Sequence, residues 1–350
     1  MKIAQVAPLI ESVPPRLYGG TERVVSYLTE ELVRQHHEVT LFASGDSQTA
    51  ARLIACVPRA LRLDPTVQDR APHAVLQLEQ VRKRAREFDV IHFHNDLAHL
   101  PLTRAGLPPR SLTTLHGRLD MPDYQPLFAE FSDVPLTSIS DHQRAPLHGV
   151  NWAGTVYHGL PSHVCRFNPH PSGDYLAFVG RISPEKRPDR AIEIARRAGV
   201  LLRIAAKVDA ADEVYFRERI EPLLHGPFVE YVGEITEREK SEFLGNARAL
   251  LFPIDWPEPF GLVLIEAMSC GTPVIAWRGG SVPEIVDPGI TGFIVDDVPE
   301  AVDAIHRVSM LDRRLVRERF EHRFSAERMA KDYLTIYSRL IDRNPATLAA

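Results

Sequence analysis

Short apolar runs of β type alternate with amphipathic helical stretches along this 350-residue chain, and that alternation leaves few architectures open. "KIAQVA" opens as a strand. "GGTERVVSYLTEELVRQHH" follows with Val24, Val25, Leu28 and Leu32 on one helical face, and "EVTLFASGD" is a second strand ending in turn residues. Further strands are predicted at "DVIHFH" (89–94), "SLTTLH" (111–116), "LTSIS" (136–140) and "GTVYH" (154–158), with helices between several of them, one over 73–87. A polar, proline-containing break, "RFNPHPSG" (166–173), interrupts the rhythm. It restarts as strand "YLAFVG", helix "PDRAIEIARRAG", strand "LLRIAAKV", a helix near 212–225, strand "VEYVG", helix 236–246, strand "RALLFP", helix 261–269 and strand "PVIAW". "SAERMAKDYLTIYSRLI" (325–341) closes the chain as a long amphipathic helix. Strands that alternate with helices imply parallel sheets covered on both faces. The expected fold class is α/β, with two Rossmann-like units in tandem: one over 1–165, one over 166–324, and a terminal helix over 325–342.

Bulk properties narrow the function. With 44% hydrophobic and 25% charged residues, the chain has apolar material for two cores. Its net charge of −5 gives no general basic field for nucleic acid. Cys56, Cys165 and Cys270 are odd in number and far apart, so neither a disulfide framework nor a zinc spacing follows, and a reducing cytoplasm is expected. "MKIAQVAPLI" lacks a signal-peptide core and cleavage site and reads as the first strand. No apolar run approaches the length of a membrane span.

One stretch carries chemistry: "EPFGLVLIEAMSCGTPVIAWRGG" (258–280). A strand ends near Pro253, a loop follows, and a helix begins near Phe260 and Gly261. Ligands of open parallel sheets bind outside the carboxyl ends of the strands, which puts Glu258 on the ligand-facing edge. Amides of Phe260, Gly261 and Leu262 open a helix, a place that favours phosphate. Glu266 lies about 7–8 Å further along the helix axis, inside the apolar run Leu262, Val263, Leu264, Ile265, Ala267 and Met268, where a carboxylate is costly unless something binds it. Carboxylates accept hydrogen bonds from hydroxyls, so phosphate flanked by two of them fits a nucleotide sugar. A surface glutamate and a helix carboxylate snorkelling to water would give the same spacing. A second cluster, "FVGRISPEKRPD", sets Arg181 after a strand ending in Gly180 and Lys186 five residues on. Two such cations can neutralise a diphosphate leaving group, whereas Arg187 reads as a solvated loop charge.

These motifs in order, with "GTPVIAWRGGSVPEIVDPGITGFIV" and the N-terminal "YGGTERVVSYLTEELVRQHHEVTLFASG", resemble the retaining family-four glycosyltransferases of the GT-B fold over nearly the whole chain. The opening through "ASGDS" is similar to short bacterial members, some of which glucosylate tetrahydrobiopterin. The resemblance implies a nucleotide-sugar domain in the second half, an acceptor domain in the first, reaction in a cleft between them, and a final helix that returns to the first domain. Arg181 and Lys186 would hold the diphosphate. Phe260, Gly261 and Leu262 would give amides to the distal phosphate or sugar, Glu258 would contact sugar hydroxyls, and Glu266 would be satisfied by ribose hydroxyls. Lys207, Gly233 and Ile235 would line the base, and Gly19 and Gly20 would let a loop approach the diphosphate. His116 matches the family's histidine near the transferred sugar. Tyr18, His94, Asp96 and Asp120 become acceptor-side candidates, His99 a further helper and His92 a packing residue. A lone strand-end histidine is otherwise a structural one, and His-x-His at 92 and 94 has no evident third metal ligand.

The implied reaction moves a hexosyl group, glucose from a UDP-linked donor, to an acceptor hydroxyl on a pterin, another small molecule or a glycan. It keeps the anomeric configuration through an oxocarbenium-like state and needs no metal or other cofactor. Rival readings are an epimerase on the same fold, which needs acid–base groups on both sugar faces, and a non-catalytic nucleotide-sugar-binding subunit. A lipid acceptor would bring the protein to a membrane, with "VRKRAREF" (81–88) as contact, although such runs usually form a solvated helix face.

Overall fold

In a computed structural model, which describes residues 1–16, 19–95, 97–105 and 110–342, the chain divides into two units. The first takes Met1–Gly159 together with the chain from Ala326 on, and the second is Leu160–Ser325. The first unit thus ends at Gly159 rather than at 165.

The first unit is built on strands β1 (Lys2–Val6), β2 (Glu38–Ser44), β3 (Arg52–Val57), β4 (Val90–Phe93), β5 (Ser111–Thr114), β6 (Leu136–Ser138) and β7 (Trp152–Thr155). The second carries β8 (Tyr175–Arg181), β9 (Leu201–Lys207), β10 (Val229–Gly233), β11 (Ala249–Phe252), β12 (Val274–Trp277) and β13 (Gly292–Val295). The helices, in chain order, are α1 (Gly20–Arg34), α2 (Ala71–Arg84), α3 (Leu100–Ala105), α4 (Tyr124–Glu130), α5 (Asp141–Arg144), α6 (Pro188–Ala198), α7 (Glu213–Tyr215), α8 (Glu237–Gly245), α9 (Leu262–Ser269), α10 (Val282–Ile285), α11 (Val298–Arg307), α12 (Arg313–Phe324) and α13 (Ala326–Asp342).

Both sheets are parallel throughout, in the orders β3-β2-β1-β4-β5-β6-β7 and β10-β9-β8-β11-β12-β13. This is the doubly wound α/β class read from the alternation. In each sheet the winding reverses once, between β1 and β4 and between β8 and β11, and a crevice for ligands opens at such a reversal. Two strands escape the sequence reading. Edge strand β3 follows β2 after only a short loop, with no helix to announce it, and β13 is a four-residue run after a turn. The helix expected over 212–225 is instead a short α7, one π turn at Phe216–Ile220 and a 3-10 turn at Glu221–Leu223. Pro222 lacks the N–H that an uninterrupted helix would use there.

Helix α1 buries Val24, Val25, Leu28 and Leu32, as its spacing predicts. Helix α13 packs on α1 and β4 and buries Met329, Ala330, Tyr333, Ile336 and Tyr337. Large apolar side chains contribute about 1.5–3 kcal/mol each on full burial, so this last helix belongs to the first unit's core. In the second unit Leu176, Phe178, Ile204, Leu251 and Ile275 from the central strands pack with Ile192, Ala195 and Ile305 from α6 and α11.

Candidate active site

The second unit gathers its predicted residues at the carboxyl edge of one sheet. Arg181 ends β8 and pairs in register with Lys207, which ends β9. Gly233 ends β10 with a positive φ of 77° and leads through Ile235 to α8, whose start is pinned by a capping box between Thr236 and Glu239. Glu258 follows β11, on the other side of the reversal.

Arg181 is half-buried and paired. Its guanidinium donates to Glu185 and lies 3.7 Å from Asp209 and 3.8 Å from Asp212. Burial raises the Asp212 carboxyl above its ordinary pKa, against the pull of Arg181. Lys207 pairs with Asp209 at 2.9 Å. Lys186 donates to Glu258 and sits over the rings of Trp256 (4.7 Å) and Phe252 (5.5 Å). Trp256 Nε1 donates to the same Glu258 oxygen at 3.0 Å. Glu258 is 7% exposed, so its charge is matched by an ammonium and an indole N–H before any ligand arrives.

The loop that holds Glu258 is braced by the glycine pair after β12. The Ser281 amide donates to the Glu258 carbonyl (2.9 Å), and Ser281 Oγ donates to the Phe260 carbonyl (2.8 Å). Gly280, at φ 55°, leaves no room for a side chain: a Cβ there would lie 2.2 Å from the Glu258 carbonyl oxygen. Gly261, at φ 81°, precedes α9, so Leu262 opens a helix whose first amides have no intrahelical carbonyl. Arg187 departs from the reading of a solvated charge. It donates to Asp189 and Asp255, and the Asp255 amide donates to the Glu185 carbonyl at 2.8 Å. These contacts tie the Lys186 loop to the Glu258 loop.

Glu266 is 5% exposed inside α9. Its partner was not expected from sequence: Lys240 of α8 donates to Glu266 Oε1. The buried carboxylate is therefore compensated within the protein rather than left for ribose hydroxyls alone. Lys240 lies 26 residues earlier on another helix, and no local spacing signals that pairing. Trp256, Glu185 and Asp209 also escaped the sequence reading, although each lies within four residues of its partner Glu258, Arg181 or Lys207.

In the first unit the histidines converge. His94 Nδ1 is 3.0 Å from His116 Nε2, and His94 Nε2 is 2.7 Å from Gln5 Oε1. His116 stacks on His158 with ring centroids 5.3 Å apart. Burial lowers the pKa of His92, His94 and His158 well below the ordinary range and that of His116 to about 3. His94 is buried with both ring nitrogens occupied, so it backs His116 instead of lining an open acceptor surface. His99 is buried too, stacked on Phe93 and 2.7 Å from Thr113 Oγ1, which makes it a packing residue rather than an acceptor contact. His92 lies in the same interior.

Asp120 is exposed, and the Arg118 guanidinium holds its carboxyl below the usual range. Gly19 precedes α1 with Pro15 so close that a Cβ would lie 2.8 Å from Pro15 Cβ, and Gly20 opens the helix. Tyr18 and Asp96 lie outside the described residues. In the run over 81–88, Arg82 and Lys83 pair with Glu79 of the same helix and Arg84 with Glu87. Among the described residues no group of three or more His, Cys, Asp or Glu could hold a metal ion, and no helix is long and apolar enough to cross a membrane.

Residues 167–322 match the family model of Glycosyl transferases group 1, and residues 18–155 match that of Glycosyltransferase Family 4. Among curated proteins, the chain is similar to the D-inositol 3-phosphate glycosyltransferase of Mycolicibacterium smegmatis: 34% identical over 184 residues, 47% of this chain and 40% of that protein. An uncharacterized 41.2 kDa protein in the cps region of Klebsiella pneumoniae is 30% identical over 169 residues, 46% of this chain and 45% of that protein. The chain thus spans less than half the length of the curated relatives it matches. Among solved structures, AviGT4, a glycosyltransferase involved in Avilamycin A biosynthesis, superposes with a TM-score of 0.74 at 25% identity, covering 98% of this chain and 99% of that one. HepE of Anabaena, in complex with UDP and glucose, shares the fold at TM-score 0.73 and 17% identity, over 97% of this chain and 100% of that one.

Proposed function

The chain belongs to the group 1 glycosyltransferases, with a family-four domain in its first half and the GT-B fold, and on that premise we propose that it transfers a hexosyl group from a UDP-linked sugar, glucose, to an acceptor hydroxyl with retention of configuration. The observation that carries this reading is the pair of loops at the strand reversal of the second sheet: Arg181 ends β8, Lys186 in the loop after it donates to Glu258 in the loop after β11, and the Asp255 amide joins the two loops, with Glu266 in the helix that follows. The diphosphate takes the place of acidic side chains: Arg181 exchanges Glu185, Asp209 and Asp212 for phosphate oxygens, and Lys186 keeps Glu258 while turning to the leaving group. Glu266 Oε1 stays with Lys240, and its second oxygen accepts the ribose hydroxyls. Glu258 accepts from the sugar. The HepE complex with UDP and glucose supports the choice of donor by analogy of fold.

As the bond from the anomeric carbon to the diphosphate breaks, the leaving oxygen gains charge that Arg181, Lys186 and the first amides of α9 stabilise. The acceptor oxygen bonds to the anomeric carbon on the face the diphosphate leaves, and its proton passes to the diphosphate. The two cations stand where a metal would otherwise neutralise the leaving group, so transfer proceeds without one. The acceptor is a small hydroxylated molecule. A pterin follows from the resemblance of the N-terminal segment, and a phosphorylated cyclitol from the names of the matched relatives.

The test is transfer from UDP-glucose to a panel of such acceptors, with and without chelator, following the anomeric configuration of the product by NMR. Expected are UDP release coupled to an α-linked product, indifference to chelator, and a fall in turnover of roughly 10²–10³ in Arg181→Ala or Lys186→Ala. Epimerised UDP-sugar without transfer, an inverted product, or activity that only a divalent metal restores would overturn the corresponding part.

A further inference from the structure

A line of side chains runs through the interior of the first unit from β6 to His116, and its sense can be followed from one end. The Thr113 carbonyl can only accept, and Thr137 Oγ1 lies 3.4 Å from it. Thr137 donates there and accepts from Thr114 Oγ1 at 2.7 Å. Thr114 has then used its hydrogen, so His92 Nε2, 2.7 Å away, is the protonated nitrogen and donates to it. Burial keeps His92 neutral, so its Nδ1 is a lone pair and takes the hydrogen of Tyr337 OH at 2.7 Å. The Tyr337 oxygen accepts from Gln5 Nε2 at 3.2 Å, which turns Gln5 Oε1 toward His94 Nε2 at 2.7 Å. His94 therefore carries its proton on Nε2, and its Nδ1 accepts from His116 Nε2 at 3.0 Å. At the end stands His116 Nδ1, a buried atom with no hydrogen-bond partner among the described residues. A buried acceptor without a donor costs free energy.

We propose that this line of side chains sets His116 as the Nε2–H tautomer, so that Nδ1 is a preformed acceptor for a ligand O–H. Any group that meets Nδ1 must bring a hydrogen; a carboxylate or phosphate oxygen meets a lone pair and is turned away. Gln5, His92, His94 and Tyr337 are positioning residues that act through His116. Arg328 of α13 adds to the arrangement by donating to the Tyr157 and His158 carbonyls at 2.7 and 3.0 Å, which holds the ring stacked on His116. Helix α13 thus reaches the edge of the sheet chemically through Tyr337 and sterically through Arg328. The use of Nδ1 by a ligand rests on the glycosyl-transfer reading; the tautomer does not.

Nitrogen-15 NMR of the histidine-labelled full chain, without substrate, reads the tautomer directly. His116 is expected to show a pyridine-type Nδ1 and a pyrrole-type Nε2, and the opposite assignment overturns the proposal. Tyr337→Phe removes the link between Gln5 and His92, frees Gln5 to turn, and should move both His116 nitrogens to averaged positions. Tyr333→Phe, one turn away, removes a side branch to Thr114 (3.0 Å) and Thr137, keeps the links among His92, Tyr337, Gln5 and His94, and should leave the tautomer intact. An unchanged His116 in Tyr337→Phe overturns the relay, and Gln5→Met serves the same purpose if that variant does not fold. In transfer assays, Tyr337→Phe should lower kcat roughly tenfold with little change in KM for UDP-glucose. A scrambled tautomer with unaltered kcat would show that no ligand uses Nδ1. Absence of transfer by the unmodified chain would instead remove the glycosyl-transfer reading and leave the tautomer standing.

Discussion

Glu258 and Glu266 are both nearly buried carboxylates, yet their partners differ. Glu258 is met by a lysine and an indole N–H in a loop, Glu266 by Lys240 in a helix interior. Glu266→Gln keeps the shape but weakens acceptance from ribose hydroxyls, so binding of UDP and of UDP-sugar should both fall. Glu258→Gln should leave UDP binding nearly intact and impair transfer more, because contacts at the reacting ring strengthen as charge develops there. Calorimetric titration of both variants with UDP and with UDP-glucose separates the roles, and equal losses for UDP would collapse the assignment. The spacing of these two glutamates was legible in the sequence, and so was the position of each on loop or helix. Lys240 was not, because the contact between α8 and α9 arises from tertiary packing.

At the scale of elements, the site depends on one loop pressed against another. Gly280 lies against the Glu258 backbone. Gly280→Ala must move that backbone or itself, and a displacement near 1 Å at a reacting group costs on the order of 10² in rate. The expected result is a folded protein with kcat/KM lowered by about that factor; Gly279→Ala, whose Cβ would come no nearer than 3.3 Å to the Trp256 carbonyl and 3.6 Å to the Ile254 side chain, should be milder. Normal kcat/KM in a folded Gly280→Ala protein would refute the bracing role. The ends of β4 and β5 supply a second element-scale prediction. Burial depresses the pKa of His92, His94, His116 and His158, so between the folded values and about 6.5 the unfolded chain binds more protons. Stability from these groups is full above about pH 6.5 and is lost as pH falls below it, by about 1.4 kcal/mol per pH unit for each group that titrates. The denaturant midpoint of the first unit should drop steeply between about pH 7 and pH 5. A flat midpoint would mean that the histidines are not buried as neutral groups.

For the whole molecule, α13 is the element whose removal tells most. It is the last of the described helices and supplies Met329, Tyr333, Ile336 and Tyr337 to the first unit. Four such side chains are worth on the order of 6–12 kcal/mol, comparable with the 5–15 kcal/mol that stabilises an ordinary domain. A chain ending at Ser325 should lose amide-exchange protection in β4 and β5 and retain it in β8 and β11. Protection kept in all four strands would show that α13 is an accessory.

Periodicity and turn chemistry determined the class of this protein, because strands that alternate with helices can only bury both sheet faces in a parallel, doubly wound arrangement. The sequence by itself also placed Arg181 at a strand end, Lys186 and Glu258 on the loops after strands, and Glu266 within a helix, since each stands at a fixed offset from an apolar run. Strand β3 escaped because an edge strand buries little and alternates weakly, and the helix near 212–225 broke where Pro222 withholds its amide. Which charge meets which was decided only by tertiary structure. Lys240 with Glu266, Arg187 with Asp255, and Gln5 with His94 and Tyr337 join residues from 26 to 332 positions apart. A hydrogen bond at such separation depends on where packing sets two backbones, and packing depends on the summed burial of many side chains rather than on the identity of the pair.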